Sequence, residues 1–144
     1  DAEAGSDFPY TRGGPRPAGF SVNINNINMP CQKPPWSHLT AVDTTTGDIA
    51  WRIPLGITEG LSARRQNTGR PGRAAALVTA SNLLFIASTD DNRLRALSAT
   101  SGDILWEQVL ERRGNANPMT YMGNDDKQYV VIAASDKLAA YSLP

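Results

Sequence analysis

The sequence has few of the residues that form disulfides or histidine-based catalytic sites. Its 144 residues include a single cysteine, Cys31, and a single histidine, His38, so an internal disulfide is excluded. We expect Cys31 to be a structural free thiol, with a nucleophile or a metal ligand as the alternative. Because no serine or cysteine is placed as a nucleophile for His38, we expect that side chain to be structural or on the surface. The sequence therefore offers no catalytic residue and no metal-ligand spacing.

The sequence also lacks an excess of charge of one sign and any long apolar run. Fourteen basic residues balance fourteen acidic ones, so no basic surface is present to attract phosphates, and nucleic-acid binding is not expected. The longest apolar stretches, near 74–78 and 130–134, are far shorter than the roughly 20 residues of a membrane-spanning helix. No segment is predicted to cross a membrane in this way.

What the sequence does contain is an internal repeat. LTAVDTTTGDIAWRIPL at 39–55 recurs at 94–110 as LRALSATSGDILWEQVL, with eight of the seventeen positions identical. In each copy, side chains that alternate between two faces predict a first strand. A short polar side chain followed by Gly47 or Gly102 predicts a tight turn. The second strand after this turn carries a tryptophan. Each copy is therefore predicted to be a β-hairpin, and the chain to be built of repeated units.

The tryptophans of the repeat, Trp51 and Trp106, are predicted to be its anchors. A buried indole removes about 150–250 Å² from water, worth roughly 4–6 kcal/mol as an upper bound. An aromatic residue at one place in a repeat is expected to pack one unit against the next; the alternative is a contact inside a single hairpin. If Trp106 is fully buried, its replacement by alanine is expected to cost about 3–5 kcal/mol.

Further short strands extend the same plan. Four consecutive antiparallel strands are predicted in one segment and three in the next, and no run has helical periodicity. Four-stranded units of roughly 40–45 residues are typical of β-propeller blades. We therefore predict an all-β fold, a partial β-propeller of about two to three four-stranded antiparallel blades. Its predicted parts are an arm or loop rich in proline and glycine at 1–37 and a propeller part at 38–144, with a half blade at 39–55, a full blade at 74–109 and a three-stranded blade at 118–143.

Such a set of blades does not close into a ring. Propellers have about 4–8 blades, which 144 residues cannot supply at this blade length. We expect the chain to be the carboxy-terminal portion of a larger protein and the remainder of the parent propeller to be its partner. If the chain folds alone, we expect it to self-associate through unpaired strand edges.

Three polar segments are further candidates for sites. Two of them are Asp-Asp-Asn at 90–92 and Asn-Asp-Asp at 124–126. Because both lack the ligand spacing of a calcium loop, they are expected to form hairpin turns; Ca²⁺ ligation is the alternative. The loop at 64–73 concentrates arginines and glycines. It either meets an anionic cofactor at the propeller axis or is a solvated connector.

The repeat and its surroundings resemble a known family. The frame Ala-x-Asp-x-x-x-Gly-x-x-x-Trp at 41–51, repeated at 96–106 with serine in place of aspartate, resembles the tryptophan-docking repeat of pyrroloquinoline quinone (PQQ) dehydrogenases. The order of segments is similar to the carboxy-terminal end of membrane-type quinoprotein glucose dehydrogenases. This resemblance covers about 30–144 and is carried by PCQKPPWSHLTAVDTTTGDIAWRIPLG, QNTGRP, LLFIASTDDNRLRAL, SGDILWE, PMTY and KQYVVIAA in that order.

The resemblance implies an eight-bladed propeller that holds PQQ and a divalent ion, Ca²⁺ or Mg²⁺, near its axis. Such enzymes oxidise a sugar or an alcohol: a base takes the hydroxyl proton, hydride passes to the quinone, and the metal polarises the quinone oxygen. They act in the periplasm, in some cases attached to the membrane through other parts of the protein, and pass electrons to a quinone or a cytochrome. The base and the metal ligands belong to earlier blades of the family, so we expect this chain alone to be inactive.

Two departures from the family leave alternatives open. Ser81 and Asn82 stand where the family has two glycines, and the turn at 135–137 replaces a glycine-rich, histidine-bearing loop that approaches the cofactor. The chain alone therefore either contacts PQQ or binds no cofactor. Its function is either that of part of a dehydrogenase or, as the alternative, that of a non-catalytic scaffold of PQQ-like repeats that binds protein partners through edges and loops. The residues predicted to lie on the cofactor side, with ordinary loop positions as the alternative, are Asn67, Thr68, Gly69 and Asn117.

Overall fold

The structure is a computed structural model, and it describes residues 21–142. The chain divides into two units, Asp1–Gln32 and Lys33–Pro144. The described part of the first unit contains one antiparallel hairpin, β1 (Ser21–Ile24) and β2 (Ile27–Pro30). Asn25 and Asn26 form its turn with φ values of 53° and 62°, the left-handed pair that a two-residue type I′ turn requires. This hairpin lies in the segment 1–37 predicted to be an arm or loop, of which residues 1–20 lie outside the described residues.

The second unit consists of three antiparallel sheets over the residues that the structure describes, joined by loops that include one short 3₁₀ turn at Ala63–Arg65. No helix within 21–142 is long and apolar enough to span a bilayer. The all-β prediction is confirmed. The first sheet comprises β3 (His38–Val42) and β4 (Ile49–Pro54); the second comprises β5 (Leu77–Val78), β6 (Leu83–Ile86), β7 (Arg93–Ser98) and β8 (Ile104–Val109); the third comprises β9 (Met119–Met122), β10 (Gln128–Ala134) and β11 (Lys137–Ser142).

Both copies of the repeat form the same hairpin. Ala41 faces Trp51 and Ala96 faces Trp106, and in each case the register shifts by one residue immediately after the alanine. Gly47 and Gly102 adopt φ values of 81° and 78° at the turns, a conformation that glycine reaches without steric cost. The short polar side chains accept bonds from turn amides as predicted: Asp43 Oδ1 from Thr45 N at 2.8 Å and Ser98 Oγ from Ser101 N at 3.2 Å.

The three sheets pack face to face, with the second sheet in the middle. Successive side chains of a strand point to opposite faces, and β6 uses both. Leu84 and Ile86 pack with Leu97 on the face toward the first sheet, while Phe85 packs with Val130 of the third sheet on the other face. Burial on both faces explains why the β6 sequence is continuously apolar rather than alternating. Three sheets stacked in chain order are the arrangement expected of adjacent propeller blades.

Trp51 joins the first sheet to the second. Its indole Nε1 donates to the carbonyl of Ala99 at 3.0 Å. A Cβ atom built on Gly102 would lie only 2.8 Å from the Trp51 ring, so the glycine at this turn provides the space for the indole. The prediction that the repeat tryptophan packs one unit against the next is confirmed for Trp51.

Trp106 has a different environment. Its side chain meets Tyr141 of the third sheet edge to face, with ring centroids 5.4 Å apart, and it remains 39% exposed. The full burial on which the predicted cost of Trp106→Ala depends is therefore not observed, whereas the predicted contact with the next unit is present. In the repeat, Ser98 corresponds to Ser142, so the position equivalent to Ala99 is residue 143, which lies outside the described residues. The contacts that cover Trp51 thus have no counterpart for Trp106 within 21–142.

Candidate functional site

One end of the second unit collects the loops that connect adjacent sheets. Because antiparallel strands alternate in direction, the connections between sheets and the β6–β7 turn emerge together, opposite to the turns that carry Gly47 and Gly102. We call this region the loop end. It comprises residues 55–76, 87–92 and 110–118.

A buried ion pair joins Asp91 of the loop end to Arg95 of β7. The Arg95 side chain is 2% exposed and that of Asp91 is 1% exposed. The two Asp91 oxygens accept bonds from the Arg95 guanidinium, from Thr89 Oγ1 at 2.6 Å and from the backbone amide of Ile57 at 2.9 Å. Arg95 also contacts Glu107 Oε2 at 2.8 Å through Nε. The aspartate is thus satisfied by charge and by hydrogen bonds, as a buried carboxylate must be.

This ion pair ties the connector between the first and second sheets to the second sheet. The amide of Ile57 belongs to that connector, as does Arg70, which forms a two-pronged ion pair with Asp90 at 2.7 and 2.8 Å. Gly72 forms an isolated β-bridge with Thr89. Three polar interactions of different kinds therefore hold the connector against the β6–β7 turn.

A second arginine extends the network toward the surface. Arg93 Nε contacts Glu107 Oε1 at 2.8 Å, and its Nη2 contacts Glu59 Oε1 at 2.6 Å. The pKa of Arg93 is raised: burial alone would lower it, but hydrogen bonds and charge from Glu59 and Glu107 outweigh that effect. Glu107 thus links the two arginines.

The pKa of Asp91 lies below its ordinary value of 3.8. Burial acts in the opposite direction, but the hydrogen bond and charge of Arg95, together with bonds from Thr89 and Ile57, outweigh it. The folded protein therefore favours the ionised carboxylate more strongly than the unfolded chain does. This contribution to stability is complete above the unfolded pKa and is lost as the pH falls through the folded one.

Acid should therefore destabilise the chain through Asp91. We expect the free energy of unfolding to change little between about pH 7 and pH 5 and to fall below about pH 4, with a shallower fall in Asp91→Asn. Urea titrations at a series of pH values measure this. Asp43 and Glu111 also have lowered pKa values, because of the Thr45 backbone amide and the Lys137 side chain respectively. The difference between wild type and variant therefore isolates Asp91, and identical pH profiles would contradict its assigned role.

Two of the predicted cofactor-side residues are enclosed within the loop end. Thr68 is buried, and its hydroxyl lies 2.7 Å from that of Thr58. Gly69 has φ 68° and packs against Ser37, so that an added Cβ would lie 2.3 Å from the Ser37 carbonyl oxygen. Both residues position the backbone of the loop. Their contact with a cofactor remains a prediction.

The other two predicted residues have exposed side chains. Asn67 is exposed on the same loop. Asn117 is also exposed, and its Oδ1 accepts a bond from the amide of Ala75 at 2.7 Å, joining the connector after β8 to the segment that leads into β5. The Nδ2 donor of Asn117 takes no part in that bond. Asn67 and Asn117 are thus the two candidates whose amides can reach a ligand.

The remaining candidates lie at the surface or in turns. His38 is exposed at the start of β3, and Cys31 is an exposed free thiol. Asp91 of the turn at 90–92 is bound to Arg95, and Asp125 of the turn at 124–126 accepts a bond from the Tyr129 hydroxyl at 2.9 Å, which raises the Tyr129 pKa. Among the described residues, no group of three or more histidine, cysteine, aspartate and glutamate side chains could hold a metal ion.

The chain matches proteins of known activity over most of its length. The family model for the PQQ "Glucose/ethanol/alcohol dehydrogenase, beta-propeller domain" matches residues 2–130. The chain belongs to the PQQ-dependent dehydrogenase family. This membership confirms the resemblance seen in the repeat.

Individual relatives agree with this membership. The quinoprotein glucose dehydrogenase A of Acinetobacter calcoaceticus is 37% identical over an alignment of 140 positions that covers 87% of this chain and 17% of that protein. The quinoprotein glucose dehydrogenase of Escherichia coli is 35% identical over an alignment of 146 positions, gaps included, that covers 89% of this chain and 18% of the relative. Among solved structures, a europium-containing methanol dehydrogenase superposes on 66% of this chain and 14% of its own, with a TM-score of 0.52 and 28% identity.

The family member described here spans less than a fifth of the curated relatives that it matches. The partial propeller predicted from the repeat is consistent with that share. The Asp91–Arg95 pair, by contrast, was not predicted. The available signal was the occurrence of two arginines, Arg93 and Arg95, inside an otherwise apolar strand, where a charge requires a partner.

Proposed function

We propose that the chain is the carboxy-terminal part of a PQQ-dependent dehydrogenase that oxidises a sugar or an alcohol. The observation that supports this most strongly is the family match over residues 2–130, together with a stack of sheets that suits adjacent blades. The named relatives are dehydrogenases, which favours an enzyme over a protein-binding scaffold. The intact protein contains PQQ with Ca²⁺ or Mg²⁺, acts in the periplasm and transfers electrons to a quinone or a cytochrome.

In this proposal the metal ligands and the base lie in other blades of the intact protein, as the resemblance to the family implies. PQQ supplies the electrophilic quinone when it is bound. The chain's own role is to position the loop end through the Asp91–Arg95 pair and to present amide donors. Without the other blades, the chain is inactive and associates with copies of itself through its strand edges.

We assign Asn67 and Asn117 to the cofactor side. Thr68 and Gly69 are buried and fix the backbone of the loop that carries Asn67. PQQ carries carboxylates, and amide N–H groups are suitable donors to an anion. Arg64 and Arg65 are exposed on the same connector and add positive charge. This set fits an anionic quinone, whereas it does not fit a divalent ion.

The test uses the full-length parent, reconstituted with PQQ and Ca²⁺, and measures both PQQ affinity and dye reduction with sugars and alcohols. Asn117→Asp keeps the oxygen that binds the Ala75 amide but replaces the amide donor with an anionic oxygen. We expect this variant and Asn67→Asp to bind PQQ about tenfold more weakly. The exposed Asn124 lies at the opposite end of the sheets, so Asn124→Asp is the matched control and should leave affinity unchanged. Failure of the intact parent to bind PQQ would refute the proposed function.

A further inference from the structure

A small polar pocket opens between the connector after β8 and the β10–β11 turn. This turn lies beside the loop end, because Lys137, directly after it, pairs with Glu111 of the connector. The pocket has a volume of about 280 Å³. We call it the Arg113 pocket. The residues that line it are Arg113, Asn115, Ala116, Ala133 and Ser135.

The lining of the Arg113 pocket is rich in hydrogen-bond donors and, among the described residues, contains no carboxylate. The Arg113 guanidinium has five donors in a planar arrangement that matches a carboxylate, and it has no acceptor. The Asn115 amide and the Ser135 hydroxyl add neutral donors. One cation with neutral donors suits a carboxylate, which carries a single charge, better than a phosphate ester with about 1.5–2 charges at pH 7.

The Arg113 side chain is available to an anion. It is exposed and forms no ion pair with a residue in 21–142. The nearest carboxylate in the sequence, Glu111, is held by Lys137, whose hydrogen bond and charge lower the Glu111 pKa, with a smaller contribution from Arg112. Asp136 of the adjacent turn is exposed and does not line the pocket.

The charges of the second unit are divided between its two ends. The exposed arginines of the loop end that form no ion pair with described residues are Arg64, Arg65, Arg73, Arg112 and Arg113. The exposed charged residues in the turns at the opposite end are Asp43, Asp48, Asp103, Asp125, Asp126 and Lys127. A chain without net charge therefore presents a positive loop end, and such a field attracts anions to it.

The Arg113 pocket lies close to a residue that we assign to the cofactor side. Asn115 and Asn117 are two residues apart, and two residues span at most about 7 Å between α-carbons. The volume of the pocket, about 280 Å³, is just below the roughly 300–1,000 Å³ of pockets that enclose a whole ligand. It therefore suits one group of a substrate whose remainder extends toward Asn117.

We propose that the Arg113 pocket binds the carboxylate of the substrate, and that this substrate is a sugar acid or another polyhydroxy acid. The inference rests on the proposed function, which supplies the dehydrogenase reaction, and it selects the acids among sugars and alcohols. Arg113 determines this specificity, because a neutral hydroxymethyl group in place of the carboxylate leaves the guanidinium without its partner.

The first test is an NMR titration of the isotopically labelled chain with sodium glucuronate. We expect saturable shifts of the Asn115 and Ser135 amide resonances, and none with glucose, which has a hydroxymethyl group in place of the carboxylate. Arg113→Gln should abolish these shifts. Lys127→Gln removes an exposed cation at the opposite end and, as the matched control, should bind as the wild type does. Equal shifts with glucose, or in Arg113→Gln, would overturn the proposal.

The second test uses the full-length parent, reconstituted with PQQ and Ca²⁺ and assayed with glucose and glucuronate, galactose and galacturonate, and glycerol and glycerate. We expect kcat/KM to be at least about tenfold higher for the acid in one or more pairs. Arg113→Gln should remove this preference, and Arg113→Lys, which keeps the charge without the planar arrangement of donors, should restore part of it. Added salt should weaken the preference, because it screens the charges.

Three results with the parent would contradict the proposal, each for a different reason. Binding of PQQ and oxidation of the neutral compounds without preference for any acid would overturn the substrate assignment and leave the proposed function intact. Weaker PQQ binding in Arg113→Gln with an unchanged preference would show that the pocket holds a carboxylate of the cofactor instead. Failure of the parent to bind PQQ would refute the proposed function and the substrate assignment with it.

Discussion

Replacing Asp91 with alanine is expected to lower the free energy of unfolding by about 3–5 kcal/mol, because the change leaves the Arg95 guanidinium buried without its main counter-ion. The Arg95 side chain is 2% exposed, so water cannot easily replace the lost carboxylate. The same change removes the acceptor of the Ile57 amide and releases the connector. Urea unfolding followed by circular dichroism measures the effect.

Two controls separate the buried pair from a general effect of charge removal. Glu111→Ala breaks an exposed ion pair with Lys137 and should leave stability nearly unchanged, because exposed pairs contribute little. The double variant Asp91→Leu/Arg95→Met removes both charges and should recover the part of the loss due to the unpaired guanidinium, but not the part due to the Ile57 amide, which still lacks its acceptor. A loss in Asp91→Ala no larger than that in Glu111→Ala would contradict the account.

Replacing Trp51 with alanine should cost about 3 kcal/mol, because it removes an indole packed between two sheets. The loss includes the bond from Nε1 to the Ala99 carbonyl, 3.0 Å long, and it opens a cavity against the Gly102 turn. We expect the cost to appear in both thermal and urea unfolding.

Trp106→Ala is the matched comparison, because it makes the same substitution at the equivalent position of the repeat. With 39% of its surface exposed and no turn over it among the described residues, Trp106 should contribute less, about 1–2 kcal/mol. Trp51→Phe keeps an aromatic ring without the donor and should fall between wild type and Trp51→Ala. Equal costs at the two tryptophan positions would show that docking between sheets is not what distinguishes them.

The repeat made most of the second unit predictable, since local physics determines its hairpins. Turn glycines with φ near 80° and short polar side chains before them act within a few residues, so their sequence pattern is sufficient. The β1–β2 hairpin obeys the same rule through Asn25 and Asn26. Its signal is present in the sequence, where two asparagines stand between two short runs that contain isoleucine.

The loop end was less predictable, because its contacts join residues that lie far apart in the sequence. Asp91 accepts a hydrogen bond from the Ile57 amide, and Arg70 forms an ion pair with Asp90. Neither pairing follows from periodicity or turn chemistry. The exposure of Trp106 has a related cause. The repeat predicts that its indole packs on the next unit, and it does contact Tyr141, but full burial depends on a turn that none of the described residues supplies.

The central claim is that the repeated hairpins form neighbouring sectors that the indole of Trp51 docks together. The most direct measurement is a nuclear Overhauser spectrum of the isotopically labelled chain, with Trp51 assigned through Trp51→Phe. The account predicts strong cross-peaks between the Trp51 ring protons and the α-protons of Gly102. A Cβ atom built on this glycine would lie only 2.8 Å from the ring. A spectrum in which the Trp51 ring contacts only residues of its own hairpin would contradict it.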